Sequence, residues 1–363
     1  MWVKCLWCHS IHHFAVSPFF CAYYKMSPPL PTMLHAREQV APQDSSDPTH
    51  RPRHNVFATR PDRPLRAKGP RLLFNSHIDT VPPFMAARRG QTAAGDAALW
   101  GRGACDTKGI LAAQLMALQS LVDGSDDDGA APVKDVGLLY VVSEETDHSG
   151  MLKSNELNLD PEWLVVGEPT ELKLMQLQKG MLKLRLTAEG VACHSGYPEL
   201  GRSAIDALLD CLQQLRTTAW PASDELGATT LNIGLISGGQ AANALAESAE
   251  ATVMFRLTCP PAVVLAEVEA AAAACGCRCF VVTQNAPVAL TAPPLEGMET
   301  AVASYNTDVA YFTFSGKAVL FGPGSIQDAH ARGEKVLVKD LHAAVDAYKR
   351  IARHCLSSDT SVV

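Results

Sequence analysis

The sequence predicts an α/β protein: an open, mostly parallel sheet that carries the chemistry, interrupted by an inserted β-α-β-β-α-β unit. Three observations point there. First, the runs Arg71-Leu-Leu-Phe74, Val136-Gly-Leu-Leu-Tyr-Val-Val142 and Trp163-Leu-Val-Val166 are short and rich in Leu, Val and Phe, as strands buried on both faces are. Second, between the first two runs, Ile110–Val122 repeats Leu111, Leu115, Leu118 and Leu121 at helical spacing among alanines. Third, polar residues follow the apolar runs or glycine turns: Asn75-Ser-His77-Ile-Asp79, Gly103-Ala-Cys-Asp106-Thr-Lys-Gly109, Ser143-Glu144-Glu145, Gly167-Glu168-Pro-Thr and Asp328-Ala-His330. In an open α/β sheet ligands gather outside the carboxyl ends of the strands, so these segments can converge on one crevice. Two histidines and several carboxylates placed this way suggest a binuclear metal site.

Residues 1–54 read as an irregular leader without sustained period. It holds Cys5-x-x-Cys8, His9, His12 and His13, then Ser27-Pro-Pro-Leu-Pro31 and Asp44-Ser-Ser-Asp47. A zinc knuckle lacks its second ligand pair here, and the histidines interrupt the apolar stretch that a secretory signal needs. From Asn55 the α/β alternation begins. After His77 and Asp79, Val81-Pro-Pro83 opens a variable loop that leads through Leu99-Trp-Gly-Arg-Gly103 to Asp106 and the Ile110–Val122 helix. A strand to Glu144, a short helical segment around Met151 and a strand to Glu168 follow.

At Gln178 the rhythm changes. Lys179–Thr187 alternates as a strand, Gly201–Leu215 is helical, Thr229–Ile236 and Glu250–Leu257 are strands, Pro261–Ala274 is an alanine-rich helix and Arg278–Thr283 is a last strand. This order is the ferredoxin-like signature. The expected division is therefore a catalytic domain of residues 55–177 and 286–363, closed by His330 and a helix over Asp340–His354, with an inserted domain of residues 178–285.

Composition limits the function classes. With 363 residues, 47% hydrophobic and 19% charged, the chain is long enough for two packed cores. A formal net charge of -7 offers no basic footprint, which argues against nucleic acid and for a small polar substrate. No apolar run reaches the length of a membrane span. The eleven cysteines are scattered, mostly within apolar segments such as Leu208-Leu-Asp-Cys211-Leu, as reduced thiols of a cytoplasmic protein would be.

The set His77-x-Asp79, Gly103-x-x-Asp106-x-Lys-Gly109, Glu144-Glu145, Gly167-Glu168-Pro-Thr, Gly190-x-x-x-His194-Ser and the late His330 resembles the M20 metallopeptidase family. That family includes acetylornithine deacetylases, succinyl-diaminopimelate desuccinylases, aminoacylases and carboxypeptidases. The likeness runs from about Asn55 to the last helix. Ala192–Arg202 and Leu320–Ser325 are most similar to fungal members known as carboxypeptidases or deacetylases. The chain departs from the family in its leader, in Thr146-Asp-His148 where relatives carry a glycine pair, and in Thr107 where fungal relatives carry an acid.

The resemblance implies two Zn2+ ions, with Co2+ as a substitute. Asp106 would bridge them, His77 and Glu168 would complete one, and Glu145 and His330 the other. Asp79 would hold the second nitrogen of His77. Glu144 would be the general base, taking a proton from water as it attacks an amide carbonyl and passing it to the leaving amine. His194 would reach the site of a partner subunit across a homodimer, while Asn243 and Arg256 would bind a substrate carboxylate, for which the planar arginine fork is suited. Gly324 and Ser325 would present backbone N–H groups to substrate. The implied substrate is an N-acyl amino acid or short peptide, because a glutamate at the Glu168 position goes with deacylases and carboxypeptidases, and an aspartate with aminopeptidases.

Each residue also has a plain structural use. Asp106 could cap the following helix, Glu144-Glu145 could be solvated charge, and Arg256 a solvent-facing sheet residue. The coincidence of five such sites in family order favours the metal site. The rival from another class is a non-catalytic dimer that keeps the fold as an interaction module.

Overall fold

The computed structural model describes residues 35–41, 53–59, 67–124 and 131–357. The Cys5, Cys8 and histidine cluster of the leader lies outside them. The chain forms two compact units. One takes the chain up to Gln176 with Leu290–Ala301 and Thr307 onward; the other is Leu177–Ala289 with Val302–Asn306.

The first unit is built on a mixed sheet. Its strands lie in the order His35–Ala41, Arg53–Thr59, Val136–Val141, Leu72–His77, Trp163–Val166, Lys317–Leu320 and Leu174–Gln178. The central four run parallel, and the flanking pairings are antiparallel. The two innermost apolar runs are buried along their whole length, as expected for strands covered on both faces. Helices Gly109–Asp123 and Val338–Ser357 cover one face, with Leu115, Leu118, Leu121, Tyr348 and Ile351 packed against Leu72, Phe74, Leu138 and Val165. Tyr348 stands edge-on to both Phe74 and Phe321 and donates its hydroxyl hydrogen to Phe321 O at 2.8 Å.

Two expectations need correction. The stretch read as irregular to residue 54 contains the strand His35–Ala41, which pairs antiparallel with Arg53–Thr59. The segment read as a variable loop carries a hairpin, Arg88–Gln91 with Ala97–Trp100, to which Lys335–Leu337 adds a third strand. Its first strand, Arg-Arg-Gly-Gln, is exposed throughout and so lacks any apolar alternation; the Arg88 guanidinium instead lies over the Trp100 ring at 4.3 Å.

The second unit has the predicted β-α-β-β-α-β order. Its strands lie as Thr230–Gly238, Ser248–Leu257, Gly180–Glu189 and Cys277–Asn285, all antiparallel. Helices Ala204–Thr217 and Pro261–Ala274 share a core with Leu182, Leu184, Leu186, Val253 and Phe255. The first helix is capped by Ser203, whose Oγ accepts from Asp206 N at 3.2 Å, and the second opens on Pro261. The unit extends past the expected 178–285. Val288–Ala289 pairs with Leu177–Gln178, and Lys179 N donates to Ala303 O at 3.0 Å.

Among the described residues eight cysteines are free thiols, and no helix is long and apolar enough to cross a membrane.

Glycine is required where the first helix meets the strand that leads to Glu168. A Cβ on Gly167 would lie 2.4 Å from Ile110 Cγ2 and 2.6 Å from Gln114 Nε2, on a helix that itself donates from Gln114 to Asn75 O. Gly167→Ala should therefore overpack this contact and lower the unfolding free energy by about 1–3 kcal/mol. Urea unfolding of the metal-free protein measures this, and an unchanged midpoint would show that the helix yields freely.

Candidate metal centre

Four loops and one strand end bring the candidate residues together. His77 ends the strand Leu72–His77 and is buried. Its Nε2 lies 2.9 Å from Asp106 Oδ1 and 4.0 Å from Glu168 Oε1. On the other side of Asp106, His330 Nε2 is 3.3 Å from Oδ2, and 2.9 Å from Glu145 Oε2. His77, Asp106 and Glu168 form one group, and Asp106, Glu145 and His330 a second, each with its ligand atoms within 4.8 Å of one another. Asp106 belongs to both, so the donor set suits two cations that share one carboxylate. Glu144 belongs to neither group.

Local structure explains the convergence. Ser76 Oγ lies 2.9 Å from both Gly167 O and Thr107 Oγ1, and Thr107 donates to His77 O at 2.7 Å. Thr107 thus fastens the Asp106 loop to the strand end. Asp106 makes no cap to the helix after it. The turn after Val141 is closed by Ser143 O, which accepts from Thr146, Asp147 and His148 N–H groups. Ser143 and His148 both take left-handed backbone conformations in it.

Asp79 does more than the single role foreseen. His77 Nδ1 lies 3.0 Å from Asp79 backbone O and 3.6 Å from Oδ1, while the two carboxylate oxygens accept from Glu144 N at 3.2 Å and Glu145 N at 3.3 Å. His148 does not line the metal groups. It is buried, pairs with Asp308 Oδ1 at 2.9 Å and stacks on Tyr311 at 3.9 Å between centroids.

The electrostatics call for positive charge. Burial pushes the Glu144 and Glu168 carboxyls well above the ordinary range, and neighbouring carboxylates, Asp106 among them, add to the shift while His77 opposes it. Burial works against charge on Asp106 too, but the hydrogen bonds of His330 and His77 hold it far below the usual carboxylate range. For His330 the hydrogen bonds to Asp106 and Glu145 win over burial and hold the imidazole up at about 10. Clustered acids held off from water are what a bound divalent cation would neutralise.

The remaining candidates are dispersed. In the first unit Gly324 is left-handed and tightly packed, with Cys105 Sγ 2.5 Å from where its Cβ would stand. Ser325 Oγ is engaged by Glu171 at 2.7 Å, and Ser325 O accepts from Cys105 at 3.4 Å. In the second unit His194 is exposed and accepts from Gly196 N, and Ser195 N donates to Asn243 O at 2.9 Å, so His194 and Asn243 are neighbours. Arg256 is half-buried on the sheet face opposite to the helices, since Phe255 and Leu257 point into the core.

Two residues escaped the sequence reading. Glu334 is buried, and its Oε1 accepts from Cys105 N and Asp106 N at 3.1 and 3.2 Å. Asp308, also buried, is the partner of His148. A glutamate four positions after His330 was the available signal for the first; nothing local marked the second.

Residues 177–275 match the family model described as the peptidase dimerisation domain. The chain is 38% identical over 320 residues to a peptidase M20 domain-containing protein of Schizosaccharomyces pombe, covering 86% of this chain and 74% of that protein. It is 35% identical over 347 residues to a probable carboxypeptidase of Ajellomyces dermatitidis, covering 86% and 77%. Among solved structures, a tripeptidase from Staphylococcus aureus aligns with a TM-score of 0.65 at 20% identity, over 88% of this chain and 89% of that one. An M20 family metallo-carboxypeptidase from Sulfolobus solfataricus aligns with a TM-score of 0.62 at 16% identity, over 88% and 90%. The structural likenesses agree with the fold described above, and the sequence identity to the fungal proteins extends over most of both chains: this protein belongs to the M20 peptidase family.

Proposed function

We propose that this protein is a metal-dependent hydrolase that cleaves the amide bond of N-acyl amino acids or short peptides bearing a free carboxylate. The observation that carries the reading is the pair of three-residue groups sharing Asp106, with Glu144 beside them and in neither. Asp106, His77 and Glu168 would hold one Zn2+, and Asp106, Glu145 and His330 a second; imidazole nitrogen and carboxylate oxygen suit zinc, and Co2+ would serve in its place. Bound ions would supply Lewis acidity toward a carbonyl oxygen and lower the pKa of water. Glu144 takes the proton of the attacking water and delivers it to the leaving nitrogen. Burial raises its carboxyl above the ordinary range, the direction that strengthens a carboxylate as a proton acceptor. Asp79 orients His77 and fixes the backbone of Glu144 and Glu145.

Glu168, where an aspartate would favour an aminopeptidase, and the fungal relatives named probable carboxypeptidase both favour a substrate with a free carboxylate. Asn243 and Arg256 are the proposed carboxylate binders. Gly324 and Ser325 would contribute backbone N–H groups, since the Ser325 hydroxyl is already engaged. A homodimer is proposed through the second unit, whose edge strand Thr230–Gly238 exposes Leu235 by 70% and Ile236 by 55%.

Glu144→Gln should retain two zinc ions and lose about 10²–10⁴-fold in kcat. His330→Ala should lose metal together with rate. Metal analysis and a hydrolysis screen of N-acetylornithine, other N-acyl amino acids and dipeptides would check both. A wild-type protein without zinc or activity would favour the non-catalytic dimer instead.

Metal uptake should release protons. A zinc-bound imidazole must be neutral, whereas His330, raised from 6.5 to about 10, carries a proton at pH 7. Zinc affinity should therefore rise with pH up to about 10, and the calorimetric heat at pH 7 should depend on the ionisation enthalpy of the buffer. Equal heats in phosphate and Tris would contradict this.

His194 is proposed to act on the metal centre of a partner subunit. An equal, freely exchanged mixture of His194→Ala and Glu144→Gln chains would then regain about one quarter of wild-type activity, because half the dimers are mixed and each has one intact site of two. No recovery despite demonstrated exchange would confine His194 to its own subunit.

A further inference from the structure

The geometry points to Arg102 and Glu334 as a positioning pair that sets Asp106 and His330 in place for metal before any metal arrives; the inference rests on the metal centre proposed above. Both side chains are buried, and Arg102 Nη1 donates to Glu334 Oε2 at 2.5 Å. The other carboxylate oxygen, Oε1, accepts from the backbone N–H groups of Cys105 and Asp106 at 3.1 and 3.2 Å. Arg102 also reaches the loop of the second histidine, with Nη2 3.3 Å from His330 O and Nη1 3.4 Å from Ala331 O. One ion pair thus grips the backbone on both sides of the second metal group: the residue that both groups share and the histidine that completes one of them.

Stability alone does not account for the pair. A buried ion pair gains little over apolar side chains of the same volume, because both charges lose their water. Here Arg102 Nε is in addition buried without a hydrogen-bond partner, a further cost. What the pair does supply is direction. Glu334 is the acceptor for two adjacent N–H groups at a point where Asp106 departs from helical backbone, so no intrahelical carbonyl can take that role. His330 sits on an exposed loop in a left-handed conformation, and its backbone carbonyl is reached by Arg102. Groups that orient metal ligands are worth about 10–100-fold in metal affinity.

The test is titration of the metal-free full-length protein with Zn2+, by competition against a chromophoric chelator, at a temperature well below the unfolding midpoint of every variant. Glu334→Ala should weaken zinc about 10–100-fold in at least one site. Glu334→Gln should lose less, because its amide oxygen still accepts from Cys105 and Asp106. Arg102→Lys keeps the charge but cannot reach Glu334 and both carbonyls together, and it should weaken the Glu145 and His330 site selectively. A role in stability alone lowers the unfolding midpoint and leaves the zinc affinity of the folded protein unchanged. Wild-type affinity in folded Glu334→Ala therefore overturns the inference. Should that variant not fold, wild-type affinity in both Glu334→Gln and Arg102→Lys overturns it equally. A wild-type protein that takes up no zinc removes the metal reading itself, and the inference with it.

Discussion

Asp106 is reached by two imidazoles from opposite sides, His77 at 2.9 Å and His330 at 3.3 Å, and Glu145, Glu168 and Glu144 crowd around the same point. Like charges held this close and out of water repel, and a fold tolerates them only if something cationic is shared among them. In the metal-free chain the two histidines take that part, and burial keeps Glu144 and Glu168 from ionising readily. The surrounding architecture manages the same constraint. Parallel strands bring His77, Glu145 and Glu168 to one sheet end, and neutral hydroxyls and amides, Ser76, Thr107 and Asn75, stitch those ends together without adding charge.

Much of this was legible because it is periodic or local. The central strands are unbroken apolar runs, the Gly109–Asp123 helix repeats leucine at helical spacing, and the inserted unit announces itself by alternation at Gly180–Glu189 and by the proline that opens Pro261–Ala274. The five metal-group residues were legible because each follows an apolar run or a glycine turn. The Arg88–Gln91 hairpin strand was not, since all of its residues are exposed and its partner contact is an arginine on a tryptophan. Glu334 and Asp308 were hidden for another reason. Their partners are distant along the chain, Asp106 by 228 positions and His148 by 160, and a single acid in a loop carries no period.

His148 and Thr107, which the sequence singled out, gain meaning from contacts. His148 has a φ of 56°, a backbone region that disfavours side chains. The chain keeps the turn by making the side chain useful: His148 stacks on Tyr311 and pairs with buried Asp308. That pair fastens the far end of the turn that begins with Glu144. Thr107 contributes a neutral hydroxyl that donates to His77 O, which suits a neighbourhood already rich in carboxylates.

Two consecutive glutamates with different surroundings impose a final requirement. Glu144 and Glu145 are consecutive, yet Glu145 meets His330 while Glu144 stays outside both groups. In a regular strand neighbouring side chains point to opposite faces, which would send one of them away from the centre. The turn breaks that alternation through the left-handed Ser143, and such a turn holds its shape only if its backbone donors are taken. Asp79 takes the N–H groups of Glu144 and Glu145, and Ser143 O takes the next three. These backbone hydrogen bonds hold the turn in the shape that sets Glu145 against His330 and leaves Glu144 outside both groups, so the different surroundings of the two neighbours rest on main-chain donors as much as on the side chains.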